Sequence, residues 1–137
     1  MKVLIVETIR AGFAMVNVVL AGFLLFLAGL GLQGQLADTS AWENRIHGLA
    51  CLSGALVSLV TLFALLSGPQ QSHYLRYSAY TANGITLAAG VINMIVFAFA
   101  VDRAYTTLPT SFTLCGIAIA NLVALMATHK MNGDAKK

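Results

Sequence analysis

Charge is nearly missing from this chain. Asp, Glu, Lys and Arg make up 9% of its 137 residues, and none falls inside four long apolar stretches. Folding such stretches in water would leave no surface for a soluble domain, so a water-soluble fold is excluded. Proline is scarce too: Pro69 and Pro109 both fall between stretches, where Gly68 and Pro69 should stop a second helix and Pro109 should start a fourth. The two cysteines, Cys51 and Cys115, lie within stretches and belong to no His/Cys cluster of zinc spacing; small apolar packing is their expected role, and a disulfide requires that their helices face each other. No Gly-rich phosphate loop follows a strand, and no Ser/His/Asp set assembles at one depth. The expectation is a protein that is not an enzyme and holds no metal.

What is there is hydrocarbon: 58% of residues are hydrophobic and the mean hydropathy is +0.81. The stretches run over Ala11–Leu32, Ile46–Ser67, Ala79–Val101 and Thr110–His129. Each has about the 20 residues a helix needs to cross a bilayer core of about 30 Å. The fold class expected is all-α, a four-helix transmembrane bundle in one domain over residues 1–137, with only short loops and tails left over. The first stretch is longer than a signal-peptide core and lacks a good cleavage site after it, so it should be a retained helix.

Four crossings turn the net charge of +3 into a statement about topology rather than about nucleic acid. Lys2, Arg10, Arg76, Lys130, Lys136 and Lys137 fall on one side, Arg45 and Arg103 on the other. The positive-inside rule then places both termini and the middle loop on the cytoplasmic side or its organellar equivalent. Tyr74, Tyr77 and Tyr80, with His73 and Arg76, form an interfacial belt there, and Trp42 is an anchor at the opposite face. Ahead of the second stretch, Asp38, Thr39 or Ser40 can cap a helix, and Glu43 stands three residues after Ser40 as in a capping box. The third loop is so tight that the last two helices must be antiparallel neighbours, with Asp102 and Arg103 able to pair.

Small residues recur at helical spacing. Gly22 and Gly29 repeat at seven residues beside Ala21 and Ala28. Ala50, Gly54 and Ser58 form a ridge in the second stretch, Ala82, Thr86 and Gly90 in the third, and Gly116, Ala120 and Ala124 in the fourth. Lipid gives helices no hydrophobic reason to associate, so close contact along such faces is the available glue. These residues are the expected helix-packing set.

The polar groups inside the stretches are amides and hydroxyls. Asn17, Asn83, Asn93 and Asn121 each need a partner, since an unpaired amide in hydrocarbon costs several kcal/mol. Counted from the ends of the stretches, Asn17 and Asn83 lie in the inner third and Asn93 and Asn121 nearer the centre. They should bond between helices; lining a solute path is the sharper alternative, weakened by the lack of any carboxylate there. His47, at the outer end of the second stretch, and His73 and His129, on the inner side, suit interfacial histidines, or could ligate haem or the magnesium of a chlorophyll.

Two resemblances bear on function. Short loops with cytoplasmic termini resemble the topology of MARVEL-type membrane organisers. In residues, His73, Arg76 and Tyr77 leading into LAAGVINMIVFAFA (Leu87–Ala100), with a last span ending at His129, resemble the plant abscisic-acid-induced plasma-membrane tetraspans (AWPM-like) over a third of the chain. The Trp after the arginine and the Cys-Lys-Glu run of that family are absent. That resemblance implies hormone uptake or membrane protection in drought. The sequence leads to a non-catalytic membrane subunit or organiser, with other membrane proteins and lipids as partners and no nucleic acid. The alternatives are a small-molecule facilitator or transporter, and a pigment- or haem-carrying accessory subunit.

Overall fold

The computed structural model describes residues 2–36, 40–67, 73–99 and 104–134. It holds four helices, α1 (Lys2–Leu32), α2 (Ala41–Leu66), α3 (His73–Phe99) and α4 (Ala104–Asp134), and the fold is all-α. α1 packs chiefly on α2 and α3 on α4, while α2 also lies against α3 and α4. Three segments are long and apolar enough to cross a membrane: Leu4–Leu32, Ala41–Leu66 and Thr110–His129. They give the chain the character of a multi-pass integral membrane protein.

The helices outrun the apolar stretches. α1 is continuous from Lys2, and its 31 residues span about 46 Å, well beyond a hydrocarbon core of about 30 Å. Arg10 and Glu7 pair on one of its early turns. α4 begins at Ala104 and runs through Pro109, so this proline does not start the helix as expected. As the sixth residue of α4 it removes one i→i−4 hydrogen bond of the helix. Gly68, Pro69, Asp102, Arg103, Lys136 and Lys137, to which the sequence assigned loop, ion-pair or tail roles, lie outside the described residues.

The α1–α2 turn is built from named caps. Gly34 takes φ +74°, the left-handed conformation that glycine adopts without strain. Its N–H donates to Gly31 O at 3.0 Å and Gln35 N–H to Leu30 O at 2.8 Å, the paired bonds of a Schellman ending. At the start of α2 the expected capping box is present: Glu43 N–H donates to Ser40 Oγ, and Ser40 N–H to the Glu43 carboxylate. Asn44 ties the two caps together, its Oδ1 accepting from Leu36 N–H at 3.1 Å while it is only 1% exposed.

Beneath this turn the two helices touch backbone to backbone. A Cβ on Gly31 would lie 2.6 Å from Gly48 Cα and 2.8 Å from Asn44 O; one on Gly48 would lie 2.8 Å from Leu32 N. Only glycine at both positions permits this crossing.

Candidate functional site

Two apolar clusters fill the bundle. One gathers Leu24, Ala28, Cys51, Ala55 and Ile117; the other gathers Ala64, Leu65, Ala79 and Leu125. Between them along the helices stands a layer of polar side chains. Asn17 on α1, Ser58 and Thr61 on α2, Asn83 on α3 and Asn121 on α4 are all buried, none more than 2% exposed.

Asn83 is the hub of this layer. Its Nδ2 donates to Thr61 Oγ1 at 2.7 Å and to Ala79 O at 2.9 Å, and its Oδ1 accepts from Asn121 Nδ2 at 3.0 Å. Thr61 in turn donates to Val57 O at 2.9 Å, so its lone pair is free to accept from Asn83. Asn17 donates to Phe13 O on its own helix, while its Oδ1 and the nearby-level Ser58 Oγ have no hydrogen-bond partner among the described residues. The layer links α2, α3 and α4 through side-chain hydrogen bonds.

The structure corrects the depths assigned to the asparagines. Asn83 and Asn121 share a level, and Asn93 lies about 15 Å further along α3, as ten helical residues require. The miscount arose because α3 and α4 begin about two turns before their apolar stretches. Asn93 Nδ2 donates to Ser111 Oγ, near the start of the α4 span.

Asn93 and Ser111 border a cavity of about 680 Å³ between α2, α3 and α4. His47, Thr110 and Trp42 share its polar end, and Ala50, Ile85, Ala89 and Leu114 line the rest. Thr110 Oγ1 lies 3.3 Å from His47 Nδ1, and His47 is buried. No sequence signal marked this cavity, because its walls come from three helices whose mutual register is invisible in one dimension.

The small residues divide between interior and exterior. A Cβ on Gly54 would meet Leu114 Cδ2 at 2.5 Å and Leu24 Cδ1 at 3.2 Å, and one on Gly90 would run into Cys115 Sγ, so both are closely packed. Ser58 and Ala124 are fully buried, and Ala50, Ala82 and Thr86 half-buried. Gly22, Gly29 and Gly116 meet nothing within 4 Å, and Ala120 is exposed. On α1 it is Ala21 and Ala28, one residue before those glycines, that face the core, each 3% exposed. Gly31 and Gly48, which form the closest crossing, were absent from the expected packing set.

His129 Nδ1 lies 2.8 Å from Arg76 Nη1; the guanidinium can only donate, so Nδ1 accepts and the ring proton sits on Nε2. His73 is exposed at the start of α3, as are Tyr74 and Tyr77, whereas Tyr80 packs beside the second apolar cluster. Trp42, in the first turn of α2, is 69% exposed. Cys51 and Cys115 are free and buried, and no group of three or more His, Cys, Asp or Glu able to hold a metal occurs among the described residues.

No family model, curated protein or solved structure matches this chain.

Proposed function

We propose that this protein is a non-catalytic subunit or organiser of a larger membrane assembly, crossing the bilayer four times with both ends on the positively charged side, and that it meets its partners through outward glycine-bearing helix faces. The observation that carries this reading is the set of glycines inside helices with nothing near them. Gly12, Gly22, Gly29, Gly84 and Gly116 would each present a Cβ to open space. A glycine within a helix costs about 0.5–1 kcal/mol relative to alanine, and here no internal contact offsets that cost. In lipid, an exposed glycine allows a second helix backbone to come close. Gly22 with Gly29, and Gly116 with Ala120, recur at one-face spacing on α1 and α4.

Of the four asparagines named for the facilitator reading, Asn17, Asn83 and Asn121 are buried and Asn93 borders the cavity between α2, α3 and α4. The AWPM-like resemblance keeps hormone uptake only as a secondary proposal resting on His73, Arg76, Tyr77 and the α3 residues.

The test is native mass spectrometry of the protein extracted gently from its own membrane, with Gly22→Leu and Gly116→Leu compared against the parent. A heteromeric complex that the leucine variants lose, while their melting temperature is unchanged, supports the proposal. A monomer or homo-oligomer would sink it. Gly54→Leu and Gly90→Leu do not serve here, because they disrupt the bundle itself.

A further inference from the structure

The cavity between α2, α3 and α4 has a chemical polarity of its own. One end holds His47, Thr110, Asn93 and Ser111; the walls below are Ala50, Ile85, Ala89 and Leu114. Two more hydroxyls line it, but Ser53 donates to Ala50 O at 2.7 Å and Thr86 to Ala82 O at 2.9 Å, so neither has its proton to offer. The deeper part therefore presents methyl and methylene groups with lone pairs between them.

At the polar end the internal bonds leave capacity over. Asn93 gives one amide hydrogen to Ser111 and retains a second hydrogen and its carbonyl oxygen. Ser111 accepts that bond with its oxygen and still carries a hydroxyl hydrogen. His47 faces Thr110 through Nδ1, which leaves Nε2. Glu43 is the only acid among the lining residues, and its carboxylate is held by Ser40 in the α2 cap. Among the described residues no Lys or Arg lines the space. Donors and acceptors are thus both present, without a charge to match.

The geometry points to a binding site for a neutral, lipid-soluble ketone or alcohol, of the quinone or quinol type, with its oxygen at Asn93, Ser111 and His47 and its apolar body against Ile85, Ala89 and Leu114. A carbonyl oxygen would accept from Asn93 or Ser111, and a hydroxyl would donate to Asn93 Oδ1. A volume of about 680 Å³ suits a ring and the start of a chain, within the range of small-molecule sites. Among the described lining residues an anion finds no Lys or Arg, and the one carboxylate, Glu43, is held in the α2 cap. This inference does not rest on the assembly reading above.

Trp42 supplies the assay, because it lines the cavity and is the one tryptophan of the chain. Quinones quench indole fluorescence on contact. The full chain is placed in phosphatidylcholine nanodiscs and titrated with decylubiquinone, and separately with decylubiquinone after loading with cholesterol. Quenching that saturates is expected, with apparent affinity weakened about tenfold in Asn93→Leu, which removes the retained hydrogen-bonding groups. Ala89→Phe fills the cavity from an exposed α3 position and should abolish saturation. Protection by cholesterol identifies a lipid alcohol as an equally good occupant; failure to protect restricts the site to quinones. Quenching that rises linearly, as for quinone dissolved in the bilayer, overturns the proposal. So does equal saturation in Ala89→Phe with its melting temperature unchanged.

Discussion

Asn121 donates its side-chain amide to Asn83 Oδ1 across 3.0 Å, tying α4 to α3 at a level where neither residue is more than 2% exposed. Asn83 passes the connection on to Thr61 of α2. A chain of amide and hydroxyl groups inside an apolar bundle fixes which helix faces meet, because any rotation of one helix strands a donor in hydrocarbon.

The two asparagines should therefore be coupled. Asn83→Ala removes partners from both Thr61 and Asn121 and should destabilise the bundle by about 2 kcal/mol, whereas Asn121→Ala should cost about 1 kcal/mol. A double-mutant cycle, read by reversible unfolding in bicelles, should give an interaction of about 0.6–1.7 kcal/mol. Strict additivity would show that the pair contributes nothing as a pair.

Glycines in this bundle should respond to alanine with opposite signs. A Cβ on Gly48 would lie 2.8 Å from Leu32 N and 3.1 Å from Ala28 O, both backbone atoms that cannot swing aside. Gly48→Ala should destabilise by about 1–3 kcal/mol as α1 and α2 are forced apart. Gly84→Ala meets nothing within 4 Å and should be neutral or stabilise by up to about 1 kcal/mol. Melting temperatures of the purified variants decide the matter, and similar shifts for both would remove the distinction between the two classes of glycine.

That distinction marks how far the sequence could be read. The all-α class and the Ser40–Glu43 capping box were legible because both are local: the signal lies within one stretch or within four residues. The need of Asn83 and Asn121 for partners was legible from chemistry, but not that they would partner each other. That depends on the level at which two helices meet, and the helix starts at His73 and Ala104 lie outside the apolar runs that set the count. Gly31 and Gly48 were missed for a related reason. They form no small-residue ridge within either helix; each matters only opposite the other, across a turn shaped by Gly34 and Asn44. The cavity is a gap between three helices and has no one-dimensional signature at all.

Four crossings with both ends on the positive side make a labelling prediction. With Cys51 and Cys115 replaced by Ala and Ser, cysteines introduced at exposed Thr8 and Ser67 should react with a membrane-impermeant maleimide from one face of sealed vesicles. A cysteine at exposed Ser40 should react from the other face. If Ser40→Cys and Ser67→Cys label from the same side, α2 does not cross, and the four-span reading falls with it.

The sharpest contrast lies within a single turn of α2. Ser58 and Thr61 are both 0% exposed, yet Thr61 accepts from Asn83 at 2.7 Å while Ser58 Oγ has no partner among the described residues. Thr61→Val keeps the shape and strands one Asn83 hydrogen, so it should destabilise by about 1 kcal/mol. Ser58→Ala removes a hydroxyl that burial has desolvated without compensation, and it should be neutral or stabilise by about 1 kcal/mol. The two variants share helix, depth and loss of one oxygen atom, so lipid contact cancels between them to first order, while Ser58→Ala also gains helix propensity of a few tenths of a kcal/mol, about that of an exposed Ser→Ala control. Unfolding measured side by side isolates the hydrogen bond. A clear loss of stability in Ser58→Ala would mean that its hydroxyl is bonded after all, and a water molecule bridging it to the equally unpartnered Asn17 Oδ1 is the group to look for at that level.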